Sequence, residues 1–171
     1  SLDNDGADVT TALSDGGAGN ISMFVADDDT FTIGSLETFQ EVEFLLSTSS
    51  SQSIVPTFEF STGVGTWTAF TPADGTNGMR NTGVIVWLDS DIPTWAVGTG
   101  SEYLIRITRT RNNVTTVPIA SKVQVADTVE YGWDKDGNIT AKSAVIEDGA
   151  TRIQNTADTS KQVALDVSGV T

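Results

Sequence analysis

Tyr103-Leu104-Ile105-Arg106-Ile107-Thr108-Arg109 alternates in character from one residue to the next. Tyr103, Ile105 and Ile107 make an apolar face, while Arg106 and Thr108 make a polar one, so Arg106 and Arg109 point to opposite sides. That is the period of a strand with one face covered and one in water. Upstream, Glu41-Val42-Glu43-Phe44-Leu45-Leu46 repeats the pattern, with Val42, Phe44 and Leu46 on one face and the glutamates on the other. Ile21, Met23 and Val25 alternate in the same way, and Phe31 and Ile33 continue it. Thr57-Phe58-Glu59-Phe60-Ser61 and Thr66-Trp67-Thr68-Ala69-Phe70-Thr71 flank Thr62-Gly63-Val64-Gly65, a connection of hairpin length. Val84-Ile85-Val86-Trp87-Leu88 is continuously apolar and reads as a strand covered on both faces. Val117 to Val125 and Thr128 to Trp133 supply further short strands, and Asp134-Lys135-Asp136-Gly137-Asn138 turns the chain into Ile139-Thr140.

Between these strands lie turn formers, including the polar run Ser47 to Ser53 and Pro72-Ala73-Asp74-Gly75-Thr76-Asn77-Gly78. No 3.6-residue apolar period of useful length occurs. The expected fold is all-β: an antiparallel, jelly-roll-like β-sandwich, followed by an extended β-rich, stalk-like C-terminal segment. Three regions are expected: a linker or arm over 1–20, the sandwich over 21–133, and a fibrous or oligomerisation segment over 134–171.

The last boundary comes from the large side chains. All thirteen aromatic residues lie between Phe24 and Trp133. The 38 residues beyond Trp133 carry only Ile139, Val145, Ile146, Ile153, Val163, Leu165, Val167 and Val170 as large apolar side chains. A chain of 171 residues can bury a substantial core, about 70% of its unfolded surface, but a segment this lean cannot enclose strands alone. Its strands must cover the main domain or pair with other copies. The start at Ser1 reads as a processed product or a piece of a longer chain.

Charge and composition narrow the chemistry. The net charge is -14, and the twelve carboxylates up to Met79 precede the first cation, Arg80. Such a balance argues against nucleic acid and anionic lipid as partners. With neither cysteine nor histidine there is no disulfide, no thiolate or imidazole metal site and no His-based triad. No apolar run approaches the length of a membrane-spanning helix, and the stretch from Ser1 does not show the basic-then-apolar plan of a signal peptide. Asp3-Asn4-Asp5-Gly6-Ala7-Asp8 and Asp134 with Asp136 present alternating oxygen ligands. Counting from Asp134, the sixth and twelfth positions are Ile139 and Val145, which breaks the EF-type calcium pattern. Asp27-Asp28-Asp29 reads as a solvated turn. Glu41 with Glu43, and Asp89 with Asp91, are carboxylate pairs without catalytic context, so no enzyme, cofactor or metal is expected.

Two sets of residues remain as contact candidates. Trp95, in the Pro93 loop, and Trp67 could offer flat rings to a sugar, although aromatic residues on alternating strands are usually core. Arg109 and Arg111 could meet the acidic N-terminal half of a neighbouring copy, or simply pair within the chain.

Phe58-Glu59-Phe60-Ser61-Thr62-Gly63, Gly65-Thr66-Trp67, Asp74-Gly75-Thr76-Asn77-Gly78 and Asp91-Ile92-Pro93-Thr94-Trp95 resemble a module of bacteriophage virion proteins. So do Glu102 to Arg111 and Tyr131-Gly132-Trp133-Asp134-Lys135-Asp136-Gly137. Ile153-Gln154-Asn155-Thr156-Ala157-Asp158-Thr159-Ser160-Lys161-Gln162 resembles a repeat of phage tail fibres. There the repeat leads into further β-structure, whereas here the chain stops at Thr171. The resemblance implies a homotrimer, other virion proteins as neighbours, a place on the virion surface and attachment to a host surface, with a host glycan as one possible contact. It names no receptor-contacting residue. A capsid decoration protein, or a carbohydrate-binding module of a secreted or surface protein, are the alternative readings.

Overall fold

The structure, a computed structural model, describes residues 1–14, 17–126, 132–133 and 139–140. The chain divides into two compact units, Ser1–Thr128 and Val129–Thr171. In chain order the first unit comprises β1 (Leu2–Asn4), β2 (Ala7–Asp8), a single helical turn α1 (Thr10–Leu13), β3 (Ile21–Ser22), β4 (Thr30–Ser35) and β5 (Glu41–Thr48). There follow β6 (Pro56–Gly63), β7 (Thr66–Phe70), β8 (Ala73–Asp74), β9 (Gly83–Val86), β10 (Tyr103–Arg109) and β11 (Ile119–Ala126). In the second unit, β12 (Gly132–Trp133) pairs antiparallel with β13 (Ile139–Thr140), Trp133 opposite Ile139. Asp134 to Asn138, expected as the turn between them, and the segment from Ala141 onward lie outside the described residues.

Two antiparallel sheets form the sandwich, as the alternation predicts. One has the order β2-β1-β4-β10-β6-β7, the other β3-β11-β5-β9-β8. In β10 the register sets Ile105 between Ile33 and Phe60, and Ile107 between Phe31 and Phe58. These inward residues meet Val42, Phe44, Ile85 and Val123 from the second sheet, and the whole set is buried. Such side chains, opposite one another on facing sheets, are the main stabilising term: each contributes about 1.5–3 kcal/mol when fully buried. Aromatic edges extend the core sideways, as Phe31 meets Phe24 at 6.2 Å and Phe44 at 5.9 Å between ring centres.

Three expectations need correction. Within the expected linker or arm over 1–20, residues 2–13 belong to the sandwich, because β1 pairs with β4 in the register Leu2 to Ile33, and Leu2, Val9 and Leu13 are buried. Its large apolar residues are too sparse to show a period, yet the longer β4 makes a strand of Leu2–Asn4. The stretch from Ile21 is strand only at Ile21–Ser22. Phe24 has φ of +54°, which breaks the alternation, so Met23 and Phe24 are both buried while Val25 is exposed. Finally, Val84 to Leu88 is not covered on both faces. Within it Ile85 and Trp87 are buried, and Leu88 is 62% exposed, because β9 lies beside the short edge strand β8 in a sheet with one covered face.

Candidate functional site

Trp95 does not stand exposed on its proline loop. It is half-buried against the core, its ring 5.0 Å from Phe39, 6.3 Å from Trp87 and 5.5 Å from Tyr103, and its indole N–H donates to the Leu104 carbonyl at 3.1 Å. Edge-to-face geometry throughout marks it as part of a ring cluster closing the end of the sandwich. Trp87 joins the same cluster through Phe39 and Phe70, and its buried indole N–H has no oxygen or nitrogen partner. Rings are its neighbours, and an aromatic face is a weak acceptor. Beside Trp87 a shallow groove of about 490 Å³ runs past Pro72, Ala73, Leu88 and Asp91.

Trp67 occupies a different setting. On β6 and β10 the residues Glu59 and Arg106 sit directly opposite each other, and Ala69 of β7 faces Glu59 from the other side. Alternation puts these side chains, with Trp67, on the face turned away from the core. Arg106 donates from Nε at 2.9 Å and Nη2 at 2.7 Å to the same Glu59 oxygen. Its guanidinium carbon also lies 4.2 Å from the centre of the Trp67 ring. Ring, cation and carboxylate therefore form one ordered row. Thr32 lies opposite Arg106, and Thr57 and Thr30 lie on either side of Thr108, so hydroxyls surround the row. A flat face of a ring, a charge pair and hydroxyls suits a polyhydroxyl ligand, with one side of the indole already covered by Arg106.

The arginine pair at the end of β10 is not a surface cluster. Arg109 is 3% exposed. Its Nη1 donates to the carbonyls of Phe24 at 2.8 Å and Val25 at 2.9 Å, its Nε donates to that of Arg111 at 2.6 Å, and its Nη2 meets Asp27 at 2.9 Å. The side chain fastens the irregular 24–29 segment to the sheet and is not available to a neighbouring copy. Arg111 is exposed and reaches Gln52 at 3.1 Å.

The carboxylates act mainly on nearby donors. Asp29 accepts from the amide of Ala26, Asp3 from that of Gly6, and Asp91 from that of Leu88. Asp74 accepts from the Thr76 amide and hydroxyl and from the Gly78 amide. Asp3 and Asp8 face each other across the β1–β2 hairpin, so that string is a turn between strands. The side chain and amide of Thr10 hold the Asp8 carboxyl below the ordinary range. For Glu102, partial burial pushes the pKa up, but hydrogen bonds from the Ser1 hydroxyl and ammonium outweigh it and leave it lowered. Among the described residues, no three His, Cys, Asp or Glu side chains gather in a group able to hold a metal. Asp134 and Asp136 lie outside the described residues.

The Trp67–Arg106–Glu59 row was missed in reading the sequence, although its signal is there. Glu59 and Arg106 fall at outward positions of strands whose inward positions are Phe58, Phe60, Ile105 and Ile107, and Trp67 falls on the opposite face from Phe70, which pairs with the inward Phe58. What the sequence lacks is the strand order that sets β10, β6 and β7 side by side. No family model, curated protein or solved structure matches the chain.

Proposed function

We propose that this chain is a structural component of a bacteriophage virion, part of a tail fibre or similar surface appendage, and that it contributes to attachment on a host surface. One observation carries the reading: the distribution of apolar side chains along the chain. The described core runs from Leu2 to Val123 and uses nine of the thirteen aromatic residues as buried members or close neighbours, including Phe39, Phe70 and Trp95. The 38 residues after Trp133 have eight large apolar side chains among them. A segment so poor in greasy surface gains cover by winding with sister copies, as fibres do, and a trimer is the expected count. The resemblance of Ile153–Gln162 to a tail-fibre repeat supports the same reading.

In this account the sandwich is a rigid head displayed on a shared shaft. Several heads engaging one surface convert weak single contacts into avidity. The Trp67 row is the head's contact for a host glycan. Light scattering on the intact chain is expected to give three times 18.0 kDa, or 54 kDa. A monomer at all concentrations would remove the fibre reading. Glycan-array binding is expected to fall with Trp67→Ala and to survive Trp95→Phe; retention in both would remove the sugar contact. A capsid decoration protein would share the head and differ in location, which imaging labelled copies on a particle decides.

A further inference from the structure

Arg106 and Glu59 do not use up each other's hydrogen-bonding capacity. Both guanidinium bonds, from Nε and Nη2, end on Glu59 Oε2. Among the described residues Glu59 Oε1 has no donor and Arg106 Nη1 has no acceptor, so the N–H groups of that nitrogen stay open. The hydroxyls of Thr32, Thr57 and Thr108, on the same outward face, are also without a partner among the described residues. Neither charged side chain is sealed off, with 29% of Arg106 and 27% of Glu59 exposed. They are the one cation and the one carboxylate at outward positions of β4, β6, β7 and β10. The face is therefore locally neutral on a chain of net charge -14.

Resting on the glycan contact proposed above, we infer that this row takes an uncharged sugar through its hydroxyls, and that Glu59 sets the preference against acidic glycans. A free acceptor beside free donors calls for a ligand group that both gives and takes a hydrogen bond. A sugar hydroxyl does this, its O–H donating to Glu59 Oε1 while its oxygen accepts from Arg106 Nη1. A carboxylate, sulfate or phosphate accepts from Arg106 but has no proton to give Glu59. Charge works in the same direction. Glu59 already neutralises Arg106, and the field of a chain at -14 repels an anion as it approaches. Trp67, with Arg106 over its ring, supplies apolar surface beside these groups for the C–H groups of the sugar.

An array carrying neutral glycans beside their sialylated or uronate-bearing counterparts tests this on the full chain. The unaltered protein is expected to favour the neutral members by about tenfold or more, with little change between low and high salt. Glu59→Gln keeps the size of the side chain and leaves the charge of Arg106 unmatched. It is expected to move the ratio toward acidic glycans by about tenfold or more, and their binding then falls as salt rises. Circular dichroism checks that the variant is folded, and the ratio and salt response of the unaltered chain decide the matter without any variant. Preference for acidic glycans in the unaltered chain would overturn the inference and leave the glycan contact standing. So would a folded Glu59→Gln chain that keeps the neutral preference. Binding to no member of the array would remove the glycan contact itself, and the preference with it.

Discussion

Replacing Arg109 by alanine tests whether this side chain is an internal fastener. Its guanidinium supplies the donor for the buried Phe24 carbonyl and for the half-buried carbonyls of Val25 and Arg111. Orphaning the buried acceptor costs about 1–3 kcal/mol, and the other two, which water can reach, cost less each. Asp27 contributes little, since its side chain is 43% exposed and an exposed pair is worth about 0–1 kcal/mol. With the buried stem removed as well, the loss comes to about 3–5 kcal/mol. In urea, a slope of about 1.5 kcal/mol/M turns that into a midpoint lower by about 2–3 M. Arg109→Lys recovers less than half, because one ammonium cannot reach carbonyls on two sides of the guanidinium. Asp27→Asn stays within about 1 kcal/mol of the parent chain. A midpoint for Arg109→Ala within about 0.7 M of the unaltered protein's, about 1 kcal/mol at that slope, would refute the reasoning. So would loss of association with no loss of stability, which would return Arg109 to a contact between copies.

Further outcomes follow from other buried or perturbed groups. Ser61 is buried, donates to the Ala96 carbonyl at 2.6 Å and accepts from the Leu104 amide at 3.1 Å. Ser61→Ala therefore lowers stability by about 1–3 kcal/mol, read by urea titration with unchanged circular dichroism. Gly83 packs so closely on the backbone just after β8 that an added Cβ would lie 2.6 Å from the Gly75 carbonyl oxygen. Gly83→Ala is expected to cost about 1–3 kcal/mol, and thermal unfolding measures it. Asp8 and Glu102 hold their protons less tightly folded than unfolded. Their contribution is thus present above the ordinary carboxylate range and lost as pH falls through it. The urea midpoint drops between about pH 5 and about pH 3, and Glu102→Gln makes that drop shallower.

The alternating strands were legible because each carries its own period. Tyr103 to Arg109 and Glu41 to Leu46 declare their inward faces without help from distant residues. Phe24 defeated the same reasoning, since a positive φ in a non-glycine residue depends on what surrounds it, here the carbonyls held by Arg109. Leu2 to Asn4 was read as linker because three residues cannot show a period; only the neighbouring β4 makes them a strand. Trp95 was misplaced for a related reason. A loop tryptophan beside proline is exposed unless other rings close over it, and Phe39, Trp87 and Tyr103 come from three separate parts of the chain. The Trp67 row stayed hidden because a sequence gives the face of each strand but not which strands are neighbours.

Hydrogen exchange, followed residue by residue at increasing concentration, bears most directly on the shared-shaft proposal. Amides of β4 and β10 should resist exchange at every concentration, being central to a closed sandwich. Those beyond Trp133 should exchange quickly in a dilute monomer and become protected as copies assemble. Slow exchange of that segment while the chain is still a lone monomer would contradict the account.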